Sequence, residues 1–582
     1  MATKYELYRE AKTPLPQQVW AWNLYGAGIE NIGLDGHPEK VDLNQKPNDD
    51  QLLVRIDSVG LCFSDLKVIK LGREHPKLYN RDLTKEPTRL GHEVSLTIMK
   101  AGKNLQDRYF PGQRLAVQPD IYQNGKSTAY GYTIPGGLIQ YHLIGPEVLI
   151  SDEGECLLPV KNEKMTYAGS SLLEPWGCVM AAYTQRRRLE PLKNGVMWIL
   201  GTPGDQTEYQ FLAGLDAPAT IILTDVPDSV AALARKSGAR IEVRNEVTVE
   251  NYPSLSQEFT QSHGFDDIVV LNPRSAKSAG AAARLIARRG IMNLVGSQAL
   301  DDLAEVDLGR LHYDYISFVG NSGTEISASY GDKRNRCELY PDGVALFVGA
   351  GGPMGQMHVQ RALELPGGPQ KIIATELNDE RLAALRDRFL PLAEKNKREL
   401  YLFNPQNASR KLKDLVMELS NGRGADDVVM CVPVAKLMAE GASMMSPEGM
   451  LVLFAGVPNG TVASLDLSPV YLNNIQYTGT SGLTLQDQKL VLDRSSEGAL
   501  SPDLSVAAIG GMNFAREGLI ALMKGRYPGK IIIFPQIEDL PLMSLSELKI
   551  KIPEVGAKLG PGDAWTLEAE VELFDRFWNP GA

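Results

Sequence analysis

The sequence predicts an α/β protein in which a β-rich first segment is followed by two copies of one parallel-sheet unit. Up to about residue 160, short apolar runs such as LLVRIDSVG and EVSLTIMKA alternate with turns rich in glycine, proline and aspartate, which is typical of a small barrel or sandwich. Beyond residue 194, strand-like and helix-like segments alternate, which favours a parallel sheet covered by helices. This alternating region also repeats itself in sequence.

The composition is that of an ordinary globular protein. The chain has 582 residues, which predicts three or four domains. A net charge of −11 opposes a general nucleic-acid or anionic-membrane binder, because such proteins need a basic face. The sequence shows five scattered cysteines, no apolar signal core and no apolar run of 18 residues. We therefore expect a cytoplasmic protein without nucleic-acid or membrane partners.

Five segments of the alternating region recur in the same order, roughly 145 to 160 residues later. VMWILGTPGD matches VALFVGAGGP, and HGFDDIVVLNP matches RGADDVVMCVP. General similarity among parallel α/β units explains this poorly, because loop dipeptides such as Asp266-Asp267 and Asp426-Asp427 also recur. We predict two tandem Rossmann-like domains over 194–333 and 340–510. A first domain over 1–193 is completed by 511–582.

The second copy carries an intact dinucleotide turn. Its glycines follow strand VALFV, and Glu376 ends the next strand. Glycines at this position let the backbone approach a pyrophosphate at a helix N-terminus, and the acid binds the ribose hydroxyls. This predicts that NAD(H) binds to the second copy, with NADP(H) as the alternative. The residues of the turn are Gly349, Gly351, Gly352, Pro353, Met354 and Gly355.

The first copy carries a damaged turn, GTPGD. Pro203 removes an N–H donor, and Asp205 would place a negative charge near a phosphate. Thr207 stands where Gly355 stands in the second copy, and its side chain would hold the following helix away from the strand. Asp225 nevertheless matches Glu376. We predict a retained fold that has lost dinucleotide binding.

Three short motifs in the first 180 residues predict a metal site. They are Cys62-Phe63-Ser64-Asp65, Gly91-His92-Glu93 and Leu173-Glu174-Pro175. Each has a structural explanation alone, as a buried thiol, a turn pair or an acid at a helix N-terminus. Together, ahead of a dinucleotide fold, thiolate, imidazole and carboxylate groups favour catalytic zinc, which keeps one open position.

These motifs resemble the zinc-containing medium-chain dehydrogenases, and LLEP resembles their polyol-dehydrogenase branch. The resemblance extends to PGQRLAV and GGLIQY. It implies a GroES-like barrel, a Rossmann domain and a return segment to the barrel. It also implies hydride transfer between NAD(H) and a polyol, sugar or sugar phosphate.

The resemblance implies a role for each motif residue. Cys62, His92 and Glu93 would bind the zinc or lie next to it, and Glu93 would belong to the catalytic set. Glu174 would bind the zinc or its water, and the choice between Glu93 and Glu174 as direct ligand stays open. Ser64 would relay the substrate hydroxyl proton, and Asp65 would orient a ligand imidazole.

The chain departs from that family in three ways. Many relatives bind a structural zinc through a cysteine-rich lobe, but QPDIYQNGKSTAYGYTIPGG has no cysteine, so one catalytic zinc and no structural zinc are expected. Lys67 stands where relatives often carry a proton-relaying histidine. The duplicated unit has no counterpart, and it leaves two other functions open: a zinc-free quinone or enoyl reductase, and a non-catalytic nucleotide-binding scaffold.

The duplication suggests an association within the chain. Members of this family commonly pair the edge strands of their Rossmann sheets across a dimer. The two copies could form such a pseudo-dimer in one chain, with continuous pairing between GNSG (320–323) and GTSG (479–482). A homo-oligomer is the other expectation for partners, besides the small-molecule substrate.

Overall fold

The computed structural model describes residues 3–184 and 187–580, whose strands form one eight-stranded sheet, two six-stranded sheets and several two-stranded ribbons. Among these residues, no helix has both the length and the apolar character that crossing a bilayer requires. The sheets follow one another along the chain, but the eight-stranded sheet takes strands from both ends.

The segment before residue 185 is rich in short strands, as its turn-punctuated apolar runs predict. Its helices are α1 (Lys4–Arg9), α2 (Phe63–Leu71), α3 (Pro146–Leu149), α4 (Tyr167–Ser171) and α5 (Leu173–Ala181). Its strands are β1 (Gln18–Ala21), β2 (Asn23–Leu24), β3 (Glu39–Asp42), β4 (Leu52–Gly60), β5 (Thr88–Arg89), β6 (Glu93–Ala101), β7 (Arg114–Val117), β8 (Tyr122–Gln123), β9 (Lys126–Ser127), β10 (Tyr141–Ile144) and β11 (Leu157–Pro159).

The next segment, which we call the first unit, contains seven strands; six of them form the first six-stranded sheet, and the other belongs to a separate ribbon. All neighbouring strands in the six-stranded sheet are parallel. Its strands are β12 (Val196–Leu200), β13 (Thr220–Thr224), β14 (Arg240–Val243), β15 (Phe265–Leu271), β16 (Ile286–Val295), β17 (Ala304–Asp307) and β18 (Ser317–Asn321); its helices are α6 (Asp228–Arg235), α7 (Tyr252–Thr260), α8 (Ala276–Ala283) and α9 (Leu308–Tyr313). The sheet order is β14-β13-β12-β15-β16-β18.

The following segment, which we call the second unit, has the same arrangement, with six of its seven strands in the second six-stranded sheet. Its strands are β19 (Val344–Val348), β20 (Lys371–Thr375), β21 (Glu399–Phe403), β22 (Ala425–Met430), β23 (Met445–Leu453), β24 (Val462–Leu465) and β25 (Gln476–Gly479); its helices are α10 (Pro353–Glu364), α11 (Asp379–Lys395), α12 (Leu412–Leu419), α13 (Ala435–Ala442), α14 (Ser468–Leu472) and α15 (Leu485–Ser496). The order β21-β20-β19-β22-β23-β25 repeats that of the first sheet, strand for strand.

The chain then returns to the eight-stranded sheet. Its last elements are β26 (Val506–Gly511), α16 (Ala515–Met523), β27 (Lys530–Phe534), β28 (Met543–Ser544), α17 (Leu545–Lys551), α18 (Pro553–Gly556) and α19 (Leu567–Phe577). The sheet order is β11-β7-β6-β4-β27-β26-β28, with β10 also on β4. Since β26 already belongs to this sheet, the return begins at Val506, inside the segment that the sequence assigned to the second Rossmann-like domain.

The two units meet at the last strand of each sheet. β18 and β25 are neighbours, but no ladder of hydrogen bonds joins them among the described residues, and each closes its own sheet. The prediction of continuous strand pairing between the two sheets, near 320–323 and 479–482, is therefore wrong. The backbone pairing occurs one element earlier, where β17 and β24 form an antiparallel ribbon.

The C-terminal helix is anchored by a buried carboxylate. Glu570 on α19 accepts hydrogen bonds from the backbone N–H groups of Tyr167 (2.7 Å) and Ala168 (3.1 Å), which are unpaired donors at the start of α4. The Trp565 indole N–H donates to it at 3.2 Å. Burial raises the pKa of Glu570 to about 7, although these N–H donors oppose the rise.

The raised pKa of Glu570 predicts a pH-dependent stability. Because the folded carboxyl holds its proton up to about pH 7 while its ordinary pKa is 4.5, folding takes up a proton between these values. The free energy of unfolding should therefore fall as the pH rises through this window. Thermal unfolding of wild type and Glu570→Gln at several pH values measures this. The variant should show a smaller fall, and exposed Glu568→Gln should match wild type; equal slopes in all three would contradict the assignment.

Candidate functional site

The metal-loop cysteine lies where a buried strand meets a helix. All of β4 is buried, and Cys62 is the residue that precedes α2. Asp65, in the first turn of α2, accepts a hydrogen bond from the Cys62 backbone N–H at 2.9 Å. The hydrogen bond that caps the helix thus fixes Cys62 and Asp65 of the C-F-S-D motif. Ser64 lies half-buried on the same turn.

Strand pairing brings the second motif to this cysteine. Glu93 at the start of β6 lies opposite Gly60 at the end of β4. A thiol sulfur of Cys62, a ring nitrogen of His92 and a carboxylate oxygen of Glu93 all lie within 4.8 Å of one another. The Oδ1 atom of Asp65 lies 3.3 Å from His92 Nδ1.

Glu93 has a buried cationic partner that sequence reasoning missed. Lys530 at the start of β27 pairs with Glu93 Oε1, and both side chains are almost fully buried. Although burial opposes its charge, Glu93 raises the pKa of Lys530 above its usual range. Lys530 stands in KIIIF among ordinary strand residues, and only the pairing of β27 with β4 brings it to the site.

Glu174 lies beside this group but not within it. It is buried in the first turn of α5, and the Cys178 thiol lies 3.8 Å from its Oε1. Burial raises the pKa of Glu174 to about 7, and the negative charge of Glu93 contributes while His92 opposes the rise. The structure thus gathers three of the four candidate ligands tightly and places the fourth in their electrostatic neighbourhood.

The chemistry of this group fits a zinc ion. Thiolate, imidazole and carboxylate form a donor set that Zn²⁺ accepts. Glu93 Oε2 is buried without a hydrogen-bond partner, which is costly unless another group satisfies it. Cys62, His92 and Glu93 can therefore hold a metal.

Polar side chains continue from the metal group into the first domain. The ring of Tyr132 lies 5.5 Å from that of His92, and Lys77 Nζ lies 4.8 Å above the Tyr132 ring. Lys77 also forms an ion pair with Asp120. Lys77, Asp120 and Tyr132 belong to no recognisable motif, so the sequence could not single them out.

The second unit shapes its glycine turn for close approach. Gly349 has φ +79° and follows β19, a conformation that disfavours a side chain. A Cβ on Gly355 would lie 2.5 Å from the Gly349 carbonyl oxygen, whereas a Cβ on Gly352 would meet nothing within 4 Å. The turn is thus closely packed at Gly355 and open at Gly352. Helix α10 begins at Pro353, and its N-terminus can bind an anion.

A cavity of ≈ 810 Å³ lies in front of this turn. Glu376 lines it, with Oε1 accepting from the backbone N–H groups of Leu377 (2.8 Å) and Asn378 (3.1 Å). Phe63 of the metal loop lines the same cavity, which the sequence did not predict. All residues of the predicted cofactor turn line it as well: Gly349, Gly351, Gly352, Pro353, Met354 and Gly355.

The corresponding turn of the first unit leads into no helix, which corrects the expectation of one after Thr207. Between β12 and β13 the described chain forms only turns and loops. Asp205 accepts hydrogen bonds from the hydroxyls of Thr207 (2.7 Å) and Tyr209 (2.9 Å), and Tyr209 is part of the core on that face. Asp225 accepts from the Glu246 backbone N–H at 3.0 Å. Without a helix N-terminus, the first unit lacks what holds a pyrophosphate.

Two family models match the chain. Residues 48–151 match the alcohol dehydrogenase GroES-like domain, and residues 353–497 match the zinc-binding dehydrogenase domain. The first match contains Cys62, His92 and Glu93, and the second begins at the N-terminus of α10.

The alignments with curated relatives span most of the length of each relative. L-sorbose 1-phosphate reductase of Klebsiella pneumoniae is 30% identical over 298 residues, which is 47% of this chain and 70% of that protein. Mannitol-1-phosphate 5-dehydrogenase of Aliivibrio fischeri is 27% identical over 376 residues, or 60% and 85%. Sorbitol dehydrogenase of Bacillus subtilis is 25% identical over 321 residues, or 52% and 80%.

A solved structure shares the fold. The crystal structure of 2R,3R-butanediol dehydrogenase from Bacillus subtilis superposes with a TM-score of 0.50 at 14% identity, covering 89% of this chain and 99% of that one. The two matching domain models, the relatives and the Cys62–His92–Glu93 group agree with the resemblance seen in the sequence. The chain belongs to the zinc-containing medium-chain dehydrogenase/reductase family.

Proposed function

We propose that this chain is a zinc-dependent oxidoreductase that transfers a hydride between NAD(H) and a polyol, sugar or sugar phosphate. One observation carries the proposal. The residue next to Cys62, Phe63, lines the cavity of the intact dinucleotide turn, so the candidate metal group and the candidate cofactor cleft adjoin. The relatives are a sugar-phosphate reductase and polyol dehydrogenases by name.

The residues divide the work as follows. When bound, zinc supplies a Lewis acid for the substrate oxygen, and the nicotinamide accepts or gives the hydride. Ser64, on the first turn of α2, relays the proton of the substrate hydroxyl: it passes on its own hydroxyl proton as it accepts the substrate's, and the relay runs backwards in the reverse reaction. Asp65 holds His92 in one orientation, and Lys530 forms a buried ion pair with Glu93.

One catalytic zinc and no structural zinc form part of the proposal. The segment QPDIYQNGKSTAYGYTIPGG, where relatives carry cysteines, has none. It is held instead by side chains such as Tyr130, whose hydroxyl lies 2.9 Å from His142 Nε2. Such contacts order the lobe without a metal.

The cofactor is proposed to be NAD(H) on the second unit. The Glu376 carboxylate lies at the end of β20 and in the wall of the cavity, where it favours ribose hydroxyls and repels a 2′-phosphate. Arg381 lines the same cavity. Because an arginine can bind a 2′-phosphate, NADP(H) is the alternative cofactor, and the test below distinguishes the two.

The first unit is proposed to be a duplicate of the second that has become its intrachain partner. Equivalent contacts recur in both: Arg188 pairs with Asp267 and Arg336 with Asp427. Val196 and Val344, at the starts of β12 and β19, each donate to an aspartate at 2.9 Å. Independent origins would not reproduce these buried details.

The contact between the units has pseudo-twofold form. In the β17–β24 ribbon, Ala304 pairs with Leu465 and Asp307 with Val462, so each strand end meets the opposite end of its counterpart. α14 packs on β18 while α9 packs on β25. Reciprocal contacts of this kind define an isologous interface, which supports a pseudo-dimer within one chain.

The Cys62→Ala variant tests the metal site and the activity together. Removal of the thiolate should lower bound zinc from about one per chain to a small fraction, as measured by elemental analysis, and should abolish polyol-dependent NADH formation. Cys156→Ala removes a buried thiol outside the group and should retain both. Full zinc content and turnover in Cys62→Ala would refute the proposed function.

The Lys530–Glu93 pair makes a separate prediction about stability. Lys530→Met leaves the Glu93 carboxylate buried without a cation, which should lower the free energy of unfolding by about 3–5 kcal/mol. The double variant Lys530→Met/Glu93→Gln should recover much of this loss, because no buried charge remains. Urea unfolding of the four proteins in the cycle, each without added zinc, measures the coupling; additive losses would show that the two groups do not interact.

Glu376→Gln tests the choice of cofactor. Neutralising the carboxylate should weaken its hydrogen bonds to the ribose and reduce the preference for NAD over NADP by about 10- to 100-fold, measured as the ratio of kcat/KM values. Glu380→Gln is the matched control, because Glu380 is an exposed carboxylate in the first turn of the following helix, α11, and lies outside the cavity. Wild type that favours NADP, or an unchanged ratio in Glu376→Gln, would overturn the assignment.

A further inference from the structure

Helix α9 of the first unit touches the second unit at the end of the strand that leads to the active site. His312 Nδ1 lies 3.0 Å from the Leu453 carbonyl oxygen at the end of β23. A Cβ on Gly456, just beyond, would lie 2.6 Å from His312 Nε2 and 2.7 Å from the Tyr313 hydroxyl. Ligands bind at the carboxyl ends of strands in such sheets, so the first unit borders the ligand-binding edge of the second.

The same helix lies within electrostatic range of the metal loop. Burial lowers the pKa of His312, and the positive charge of Lys67 lowers it further although the Leu453 carbonyl opposes the change. Lys67 lies on α2, two residues after Asp65.

Tyr315 fixes the neighbouring part of the first unit against the second. Its hydroxyl donates to the Ser481 carbonyl oxygen at 2.5 Å. A Cβ on the next residue, Gly482, would lie 2.9 Å from Asp120 Oδ2. Since Asp120 pairs with Lys77, Tyr315 stands near the polar side chains that run out from the metal group.

Two adjacent arginines extend from the first unit over this tyrosine. The guanidinium carbons of Arg288 and Arg289 lie 5.9 and 5.0 Å from the Tyr315 ring centre. Both side chains are exposed, and neither has a carboxylate partner among residues 3–184 and 187–580. Within the described chain, two guanidinium groups without a carboxylate partner thus lie against one aromatic ring. Together they form a site suited to a dianion.

The fold does not require this basic pair. The equivalent turn of the second unit has Pro447 and Glu448, and Glu448 has φ 62° where Arg289 has φ 61°. The backbone N–H of Glu448 donates to the Asn473 carbonyl oxygen at 2.8 Å, and the backbone N–H of Arg289 donates to the Asp314 carbonyl oxygen at 2.7 Å. The two turns share a backbone but carry opposite charge, so the arginines serve something other than the turn.

Arg288 lies within electrostatic range of the first domain. Burial and Asp120 raise the pKa of the Tyr122 phenol, while Lys77 and Arg288 oppose the rise. Lys77 is already paired with Asp120, so Arg288 supplies the positive charge near Tyr122 that has no carboxylate partner among the described residues.

We propose that Arg288, Arg289 and Tyr315 of the first unit bind the phosphate monoester at the far end of a phosphorylated polyol whose reacting hydroxyl lies at the metal group. The inference rests on the proposed function and narrows its substrate class. The guanidinium groups bind the phosphate oxygens, and Tyr315 holds them in place. The first unit then takes part in substrate binding although it has lost its own dinucleotide site.

The double variant Arg288→Ala/Arg289→Ala tests the site in the full-length, zinc-loaded protein. Mannitol 1-phosphate and mannitol serve as paired substrates, and inorganic phosphate serves as an inhibitor that does not depend on the sugar. The KM for the phosphorylated substrate should rise about 10- to 100-fold with kcat within about twofold, and inhibition by phosphate should weaken similarly. The KM values for mannitol and for NAD should not change. Arg235→Ala/Lys236→Ala, which removes two exposed charges from the end of α6, should behave as wild type.

Several outcomes would overturn the proposal. An unchanged KM for mannitol 1-phosphate, an equal loss for both substrates, or a wild-type preference for mannitol would each do so. If wild type turns over no polyol, the proposed function fails separately. Calorimetry with mannitol 1-phosphate then decides the site: binding lost only in the arginine variant supports it, and absent or unaltered binding rejects it.

Discussion

The site depends on the register of three strands. β4, β6 and β27 lie side by side, and Gly60 is opposite both Glu93 and Ile532. This register places the loop after β4 and the first residue of β6 together, although about 30 residues separate them in sequence. It also draws Lys530 from the far end of the chain into contact with Glu93. A slip of one residue would turn these side chains to the opposite face, so the register of β4 and β6 sets the metal group and the register of β27 sets its buried lysine.

Sequence reasoning succeeded where one chemical pattern dictates one local structure. The glycine turn at 349–355 leads into a helix, and Cys62, His92 and Glu93 lie together; both patterns combine local signals with a family resemblance. It missed Lys530, Lys77 and the Arg288–Arg289 turn, because their importance arises from neighbours that are distant in the chain. A lysine before a β-strand looks the same whether it meets solvent or a buried carboxylate, and only the packing distinguishes the two.

The first unit forms the predicted parallel sheet, but no helix follows GTPGD in the described chain, although one was expected there. Asp205 turns back to the hydroxyls of Thr207 and Tyr209, and side chains such as Tyr209 and Phe211 cover the sheet face instead. The loop thereby buries the apolar face that a helix would otherwise cover, which explains how the sheet keeps its strand order without the helix.

The antiparallel ribbon of β17 and β24 has a genetic consequence. In a symmetric homodimer, any substitution at the interface appears on both sides, so a change that suits one side must also suit the other. Here the facing strands are encoded separately, and each position can vary alone. One turn can carry Arg288-Arg289 while its counterpart carries Pro447-Glu448. A single chain can thus keep a pseudo-twofold contact between two units whose surfaces differ.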